Sequence, residues 1–288
     1  MKIDGEKIAL MMKKLLKQEI KKRKKRKIKL ATILIGDSAE QLSFVKIKAD
    51  VAKQLGIQFQ LVHLKSIPFF EELMHIVKDV SNDPTVTGVI IQQPLPAQLS
   101  TASIYNYIPT LKEIEGHQYK SPFSPPLGLA VLTVIKFAFG KVKINRNLLI
   151  DPKKDRLFFK KTLRNKKVVL AGRGITGGQP IGKTLSDFKI NYISVNSKTP
   201  EPQIYYKEAD VIITATGKKI IVPDFIKPGV VLINVGLRRE GNKLKGDYEE
   251  KEIKDIASFY TPTPHGVGPI DVLYLYKNLI DAARLQKL

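Results

Sequence analysis

Short apolar runs of strand length recur along this chain, separated by stretches in which apolar positions return every three or four residues. Residues 30–35, 59–64 and 88–91 are rich in β-branched and aliphatic side chains and read as strands, with helical patterns near 42–55 and 69–81 between them. That order, βαβαβ, predicts a parallel sheet covered by helices. A proline-rich stretch, Ser121-Pro-Phe-Ser-Pro-Pro126, breaks the pattern before an apolar helix over 129–139 and marks a boundary between domains. Beyond it, residues 168–171, 193–195 at the end of a strand-like run from 190, 211–214 and 230–235 supply strands for a second parallel sheet, and 271–285 read as a final helix. Near the N-terminus Ile8, Met11, Met12, Leu15 and Leu16 share one helical face. The seven consecutive bases from Lys21 to Lys27 follow. They are expected to fill that helix's last turns, where cations suit the helix dipole.

Composition narrows the class. A chain of 288 residues with 43% hydrophobic content is long enough for two buried cores. With no cysteine there is no disulfide and no thiolate chemistry. The four histidines are scattered without ligand spacing, so no metal site is expected. Neither a signal-peptide core nor an apolar stretch of membrane-spanning length is present in the sequence, and a cytoplasmic location is expected. The formal charge of +22 fits a nucleic-acid binder, a site for polyanionic small molecules, or a lysine-biased proteome. The Lys21–Lys27 run lacks the interleaved aromatic residues that stack on bases, and it reads first as a solvated face, which makes nucleic acid an unlikely partner.

The most informative chemistry follows the strand at 168–171. Gly172-Arg-Gly-Ile-Thr-Gly177 has the G-x-G-x-x-G spacing that lets a backbone turn tightly and approach a pyrophosphate at a helix N-terminus. After the next strand comes Asn196-Ser-Lys-Thr199, where an NAD site usually carries an acid for the ribose 2′-hydroxyl. Here Ser197 and Lys198 offer donors, and Arg173 adds a cation within the turn. A ligand with a 2′-phosphate fits those groups, so the cofactor expected is NADP.

Five motifs then occur in a fixed order: Gly88-Val-Ile-Ile-Gln-Gln-Pro-Leu-Pro96, the Gly172 turn, Asn234-Val-Gly236, Gly246-Asp247 and Thr261-Pro-Thr-Pro-His-Gly-Val-Gly-Pro269. In these the chain resembles the bifunctional methylenetetrahydrofolate dehydrogenase/cyclohydrolases, from Asp4-Gly5 nearly to the C-terminus. The resemblance implies an α/β protein of two domains with a cleft between them. Residues 1–125, with 270–288 returning as a helix, would form the folate-binding catalytic domain, and 126–269 a Rossmann NADP-binding domain. The helix containing Phe44-Val-Lys-Ile-Lys48 is similar to the family's catalytic helix. Spacing back from Gly56 assigns the catalytic lysine to Lys48, leaving Lys46 and Lys53 as surface residues. Gln92 matches the glutamine that orients that lysine, and Phe44 stands where a tyrosine stacks on the folate. Glu115 matches the aspartate that holds the pterin. By the same resemblance Ile91, Gln93, Pro264 and Gly268 complete the substrate site, and Gly172, Arg173, Gly174, Ser197 and Leu237 hold the cofactor. A homodimer is implied as well.

Departures from the family pattern fall mainly on the folate side. Lys112-Glu-Ile-Glu-Gly116 replaces a pair of aspartates by glutamates, so Glu115 is a methylene longer. His265 occupies a usual glycine position, Asp271 a usual threonine, and an additional stretch lies between Gly140 and Lys161. The implied chemistry has two steps. Hydride leaves the methylene carbon of 5,10-methylenetetrahydrofolate for NADP, and water then opens the methenyl cation to 10-formyltetrahydrofolate. For the second step a lysine held beside a cationic substrate exchanges protons near neutral pH. A family member with only one of the two activities, a nucleic-acid-binding Rossmann protein without turnover, and another small-molecule dehydrogenase are the alternatives.

Overall fold

The computed structural model describes residues 1–23, 27–140, 143–241 and 243–287. The chain forms two compact units, a first comprising Lys13–Pro126 with Val272–Leu288 and a second comprising Met1–Met12 with Leu127–Asp271.

In the first unit, β1 (Lys29–Ile35), β2 (Gln58–Leu64) and β3 (Gly88–Ile91) form a parallel sheet in the order β2-β1-β3. The central strand pairs with both neighbours and is buried from Leu30 to Ile35, which is why it reads as an unbroken apolar run. Helices α2 (Ala39–Leu55) and α3 (Phe70–Asn82) are its crossovers. Leu73 and Val77 of α3 join Ala31, Ile33 and Ile91 in one core cluster. On the other side of β3, Val89 bridges to Glu113 and its N–H donates to the Lys112 carbonyl at 2.9 Å. This contact lays the Lys112–Gly116 motif along the sheet edge.

Helix α9 (Val267–Leu285) begins ahead of the expected residue 271. Its part in the first unit is tied down by side-chain amides. Asn278 Nδ2 donates to the carbonyls of Ile114 at 2.8 Å and Ser124 at 3.0 Å, and Gln286 Nε2 to those of Thr87 and Leu111 at 2.8 and 2.9 Å.

The second unit carries a five-stranded parallel sheet made of β4 (Val168–Ala171), β5 (Ile193–Val195), β6 (Val211–Thr214), β7 (Val231–Asn234) and β10 (Phe259–Tyr260). Their order across the sheet is β10-β7-β6-β4-β5. Val169, Ile212 and Leu232 are fully buried in its core. The chain's first residues extend the β10 edge: Ile3 N donates to the Tyr260 carbonyl at 2.8 Å and Tyr260 N to that of Met1 at 3.1 Å. Helix α4 (Pro126–Gly140) leads to residues 143–151 and then α5 (Pro152–Thr162). Phe159 of α5 is fully buried against Phe188, and Asp155 pairs with Lys136 at 2.7 Å. Part of the stretch between Gly140 and Lys161 is therefore core structure of this unit.

Two sequence expectations need correction. Helix α1 (Gly5–Lys21) ends at the first base of the Lys21–Lys27 run, so the run does not fill its last turns. Lys22, Arg23 and Lys27 lie outside the helix, while residues 24–26 lie outside the described residues. A block of like charges gains nothing from being stacked on one helix, and the chain must leave α1 to reach β1 at Lys29. Strand β5 also starts only at Ile193, because Lys189 adopts a left-handed φ of 58° and Ile190 N donates to the Leu185 carbonyl at 2.9 Å. Residues 189–190 finish the preceding helix instead of opening the strand.

Candidate active site and cofactor turn

Lys48 sits on the inward face of α2. Gln41, Val45, Ala52 and Leu55 are the buried residues of that helix, and Lys48 occupies the intervening place in the same three-and-four-residue stripe. It is half-buried, whereas Lys46 and Lys53 are exposed. Its Nζ donates to Gln92 Oε1 at 2.6 Å. Gln92, at the C-terminal end of β3 and buried, donates its own Nε2 to the Gln93 carbonyl at 2.7 Å. That second bond fixes which end of the amide faces the lysine. The Tyr276 hydroxyl donates to the Lys48 carbonyl at 2.6 Å, and burial pushes this phenol's pKa upward. Gln41 donates to the Pro94 carbonyl, tying α2 to the segment after β3. Phe44 is half-buried one turn before Lys48, and Ile91 is buried in β3.

Glu115 is placed by its loop. Glu113 is buried, and its carboxylate accepts the N–H groups of Glu115 at 2.9 Å and Gln118 at 3.3 Å. Burial pushes the Glu113 pKa upward; nearby His117 opposes that and Glu115 adds to it. Lys112, read from sequence only as part of a motif, donates to the carbonyls of Ser81 and Asp83 at 2.7 and 2.8 Å, which caps the end of α3. Gly116 has φ of 75°, and a Cβ there would lie 2.7 Å from the Phe123 carbonyl oxygen, so the glycine after Glu115 is required by the turn. Glu115 itself is half-buried, with Oε2 3.7 Å from His117 Nε2.

In the second unit the Gly172 turn links β4 to α6 (Gly178–Asp187). Gly172 has φ of 111°, and a Cβ would meet the Ala215 carbonyl oxygen at 2.4 Å. The close approach between turn and helix falls at Gly178, where a Cβ would lie 2.0 Å from the Gly172 carbonyl oxygen. The G-x-G-x-x-G spacing places that role one residue earlier, at Gly177. A Cβ on Gly174 would meet no protein atom within 4 Å, which leaves its backbone approachable. Arg173 is exposed, and its Nε donates to Ser194 Oγ at 3.0 Å. Ser194, in β5, is a hydroxyl that the sequence reading missed. Ser197 and Lys198 are exposed in the turn after β5. An open glycine backbone, a guanidinium and hydroxyls on the neighbouring strand fit a dinucleotide bearing a 2′-phosphate.

The remaining second-unit motifs converge on one buried polar network. Asn234 Oδ1 accepts from Thr214 Oγ1 at 3.0 Å and from Asp247 N at 2.7 Å, and its Nδ2 donates to the Gly236 carbonyl and to Thr263 Oγ1 at 2.8 and 2.7 Å. Asp247, fully buried, accepts from the N–H groups of Thr216 and Lys218 at 2.9 and 3.1 Å. Burial pushes its pKa up against those bonds. Pro264, Gly268 and Leu237 are exposed, and His265 holds a left-handed φ of 76° at the place where the family pattern has glycine. Pro264 and Gly268 belong to the second unit, whereas the other residues expected to touch folate lie in the first.

A parallel sheet whose first strand feeds a glycine turn, together with a separate unit carrying a glutamine-held lysine, defines an NAD(P)-binding enzyme of two domains. The family model described as the tetrahydrofolate dehydrogenase/cyclohydrolase catalytic domain matches residues 3–115, and that of the NAD(P)-binding domain of the same family matches residues 157–287. The bifunctional protein FolD of Geobacillus thermodenitrificans is 32% identical over 98% of this chain and 96% of its own length. That of Staphylococcus carnosus is 30% identical over 99% and 97%. The crystal structure of the bifunctional FolD methylenetetrahydrofolate dehydrogenase/cyclohydrolase from Campylobacter jejuni superposes with a TM-score of 0.83, at 26% identity and 98% coverage of both chains. The chain belongs to the tetrahydrofolate dehydrogenase/cyclohydrolase family.

Proposed function

We propose that this protein oxidises 5,10-methylenetetrahydrofolate to 5,10-methenyltetrahydrofolate with NADP and hydrolyses the product to 10-formyltetrahydrofolate. The observation that carries this reading is the 2.6 Å bond between Lys48 and Gln92, in the part of the chain that the family's catalytic-domain model matches. Arg173, Ser194 and Ser197 would hold the cofactor's 2′-phosphate, with the backbone at Gly172 and Gly174 beside the pyrophosphate. NADP, when bound, supplies the hydride acceptor. Glu115 would anchor the pterin through its carboxylate, and Phe44 would offer a ring face to the folate.

Hydrolysis needs proton management. Water adds to the methenyl carbon and loses one proton; as the carbon–nitrogen bond to N5 breaks, the new hydroxyl gives up its second proton to become the formyl carbonyl and N5 takes up one, so one proton is released overall. Lys48 is the group that exchanges protons beside the attacked carbon, and Gln92 keeps its amine in place. By the family resemblance we also propose a homodimer working in the cytoplasm, which light scattering on the purified chain and localisation of a tagged copy test. The function is tested by following NADPH formation from methylenetetrahydrofolate and, separately, the loss of methenyltetrahydrofolate absorbance. Turnover in both assays, with kcat/KM for NADP well above that for NAD, is expected. Absence of the second reaction would reduce the chain to a dehydrogenase, and absence of both would overturn the reading.

A further inference from the structure

Lys48 and Glu115 are linked through a chain of contacts that runs by way of Gln92, Gln93, Tyr105 and His117. Gln93 joins the two sides. Its carbonyl accepts the Gln92 amide that orients Lys48, and its side chain is committed at both ends, Oε1 accepting from Leu95 N at 3.0 Å and Nε2 donating to the Tyr105 hydroxyl at 2.6 Å. An amide bonded at both ends does not flip, so the Tyr105 hydroxyl has a fixed partner. Tyr105 is buried, and the His117 imidazole stacks on its ring with centroids 3.9 Å apart and planes inclined by 17°. That stack holds His117 with Nε2 3.7 Å from Glu115 Oε2. Gln118 closes the arrangement, its Nε2 donating to the carbonyls of Tyr105 and Ile108, each at 2.7 Å.

We propose that His117, braced by Tyr105 and Gln93, is a positioning residue that fixes the Glu115 carboxylate for the pterin of the folate substrate. The proposal rests on the reading of Glu115 as the pterin anchor. Glu115 is longer than the aspartate of the family pattern and has one more torsion to immobilise when substrate binds. A neighbouring donor that is already locked lowers that cost. Glu113, the other carboxylate in the loop, is buried and accepts two backbone N–H groups, and His117 acts on it through space while lying against Glu115. Titratable groups that face His117 include Glu115 and Glu113 from its own loop and Tyr105 from the segment beneath it.

Two substitutions separate positioning from packing. His117→Phe keeps a ring for Tyr105 but removes the N–H, whereas His117→Gln keeps a donor of similar reach and loses the stack. In the full-length protein His117→Phe is expected to raise KM for methylenetetrahydrofolate and for methenyltetrahydrofolate together by roughly tenfold, the factor for one modest charge-assisted contact. KM for NADP and the ratio of the two kcat values should be preserved, and His117→Gln should recover most of the loss. If His117→Phe matches the wild type while His117→Gln is impaired, the ring only packs and the positioning role is wrong. A wild type inactive on both folates overturns the functional reading and the positioning role with it; an active wild type with an unaffected His117→Phe overturns the positioning role alone.

Discussion

In the second unit the motif side chains bond to one another, whereas in the first Lys48 and Glu115, the residues proposed to meet the substrate, are each held by only one or two neighbours. Asn234, Asp247, Thr214 and Thr263 satisfy each other and the surrounding backbone in a buried network. Lys48 lies on the inward face of α2, Gln92 at the end of β3 and Glu115 in the loop beside that strand, each oriented by one or two neighbours. A network closed on itself builds a backbone, and here it shapes the loops after β6 and β7. A side chain held by a few directional bonds is aimed. Residues of equal weight as sequence signatures therefore have different physical duties, and substitution distinguishes them: loss of stability in one unit, loss of a particular reaction in the other.

The largest effect is expected at Lys48. Lys48→Gln removes the titratable amine but keeps a hydrogen-bonding side chain, so methenyltetrahydrofolate hydrolysis should fall by roughly 10²–10⁴-fold, the range for a lost acid–base group. Oxidation of methylenetetrahydrofolate needs alignment more than a proton from this residue and should fall by less. The ratio of the two rates, measured on one preparation, is the test. A proportional loss of both would mean that Lys48 is part of the scaffold, like the second-unit motifs.

Asn234→Leu is the counterpart. It strips partners from Thr214, Thr263, the Gly236 carbonyl and the Asp247 N–H in a buried site, and each orphaned group costs about 1–3 kcal/mol. A destabilisation of at least about 4 kcal/mol by chemical denaturation is expected. The ratio of the two activities should be unchanged in whatever protein remains folded. A selective loss of one reaction with normal stability would place Asn234 among the aimed residues.

The same contrast explains what the sequence made legible. Strands buried on both faces announce themselves, and the apolar runs at 88–91, 168–171 and 211–214 match β3, β4 and β6 to the residue. Lys48 carried no local signal in so basic a chain and was singled out only by the family resemblance; its place in the inward stripe with Gln41, Val45, Ala52 and Leu55 is a finding of the structure. The partners themselves were not legible, because they come from other elements. Nothing near Arg173 in sequence points to Ser194, and nothing near Glu115 points to the Tyr105 ring beneath His117. Lys112 looked like a motif cation and proves to cap α3. The Lys21–Lys27 run misled because a dipole argument favours cations in a helix's last turn without saying where that turn ends.

Arg173 gives the next effect in size. Arg173→Ala removes a cation whose guanidinium is oriented by Ser194, and a hydrogen bond to a charged group contributes about 1.5–3 kcal/mol. KM for NADP should rise by roughly 10–100-fold. KM for NAD, which lacks the phosphate, should barely move. Ser194→Ala should repeat the pattern more weakly, since it frees the arginine without deleting it. Equal losses for both cofactors would show that the turn reads the pyrophosphate alone, and the 2′-phosphate assignment would fail.

The subtlest test concerns pH and the loop that carries Glu115. Burial raises the Glu113 pKa above the ordinary carboxylate value of 4.5, so the folded state favours the protonated acid more than the unfolded chain does. For a group with a raised folded pKa, the stabilising contribution is complete below the unfolded value and is lost as pH climbs through the folded one. Glu113 should therefore make the protein less stable as pH rises from about 4.5 toward its folded value. Glu113→Gln stays neutral throughout and retains an oxygen for the 2.9 Å bond from the Glu115 N–H, so it mimics the protonated acid. Unfolding free energies of both proteins across that range should converge at the acid end and separate as pH rises, with the variant gaining relative to the wild type. Taking the difference cancels every other titrating group that the two chains share. A constant offset at all pH values would mean that Glu113 titrates in the fold like an ordinary surface carboxylate, and that its two backbone N–H donors balance its burial.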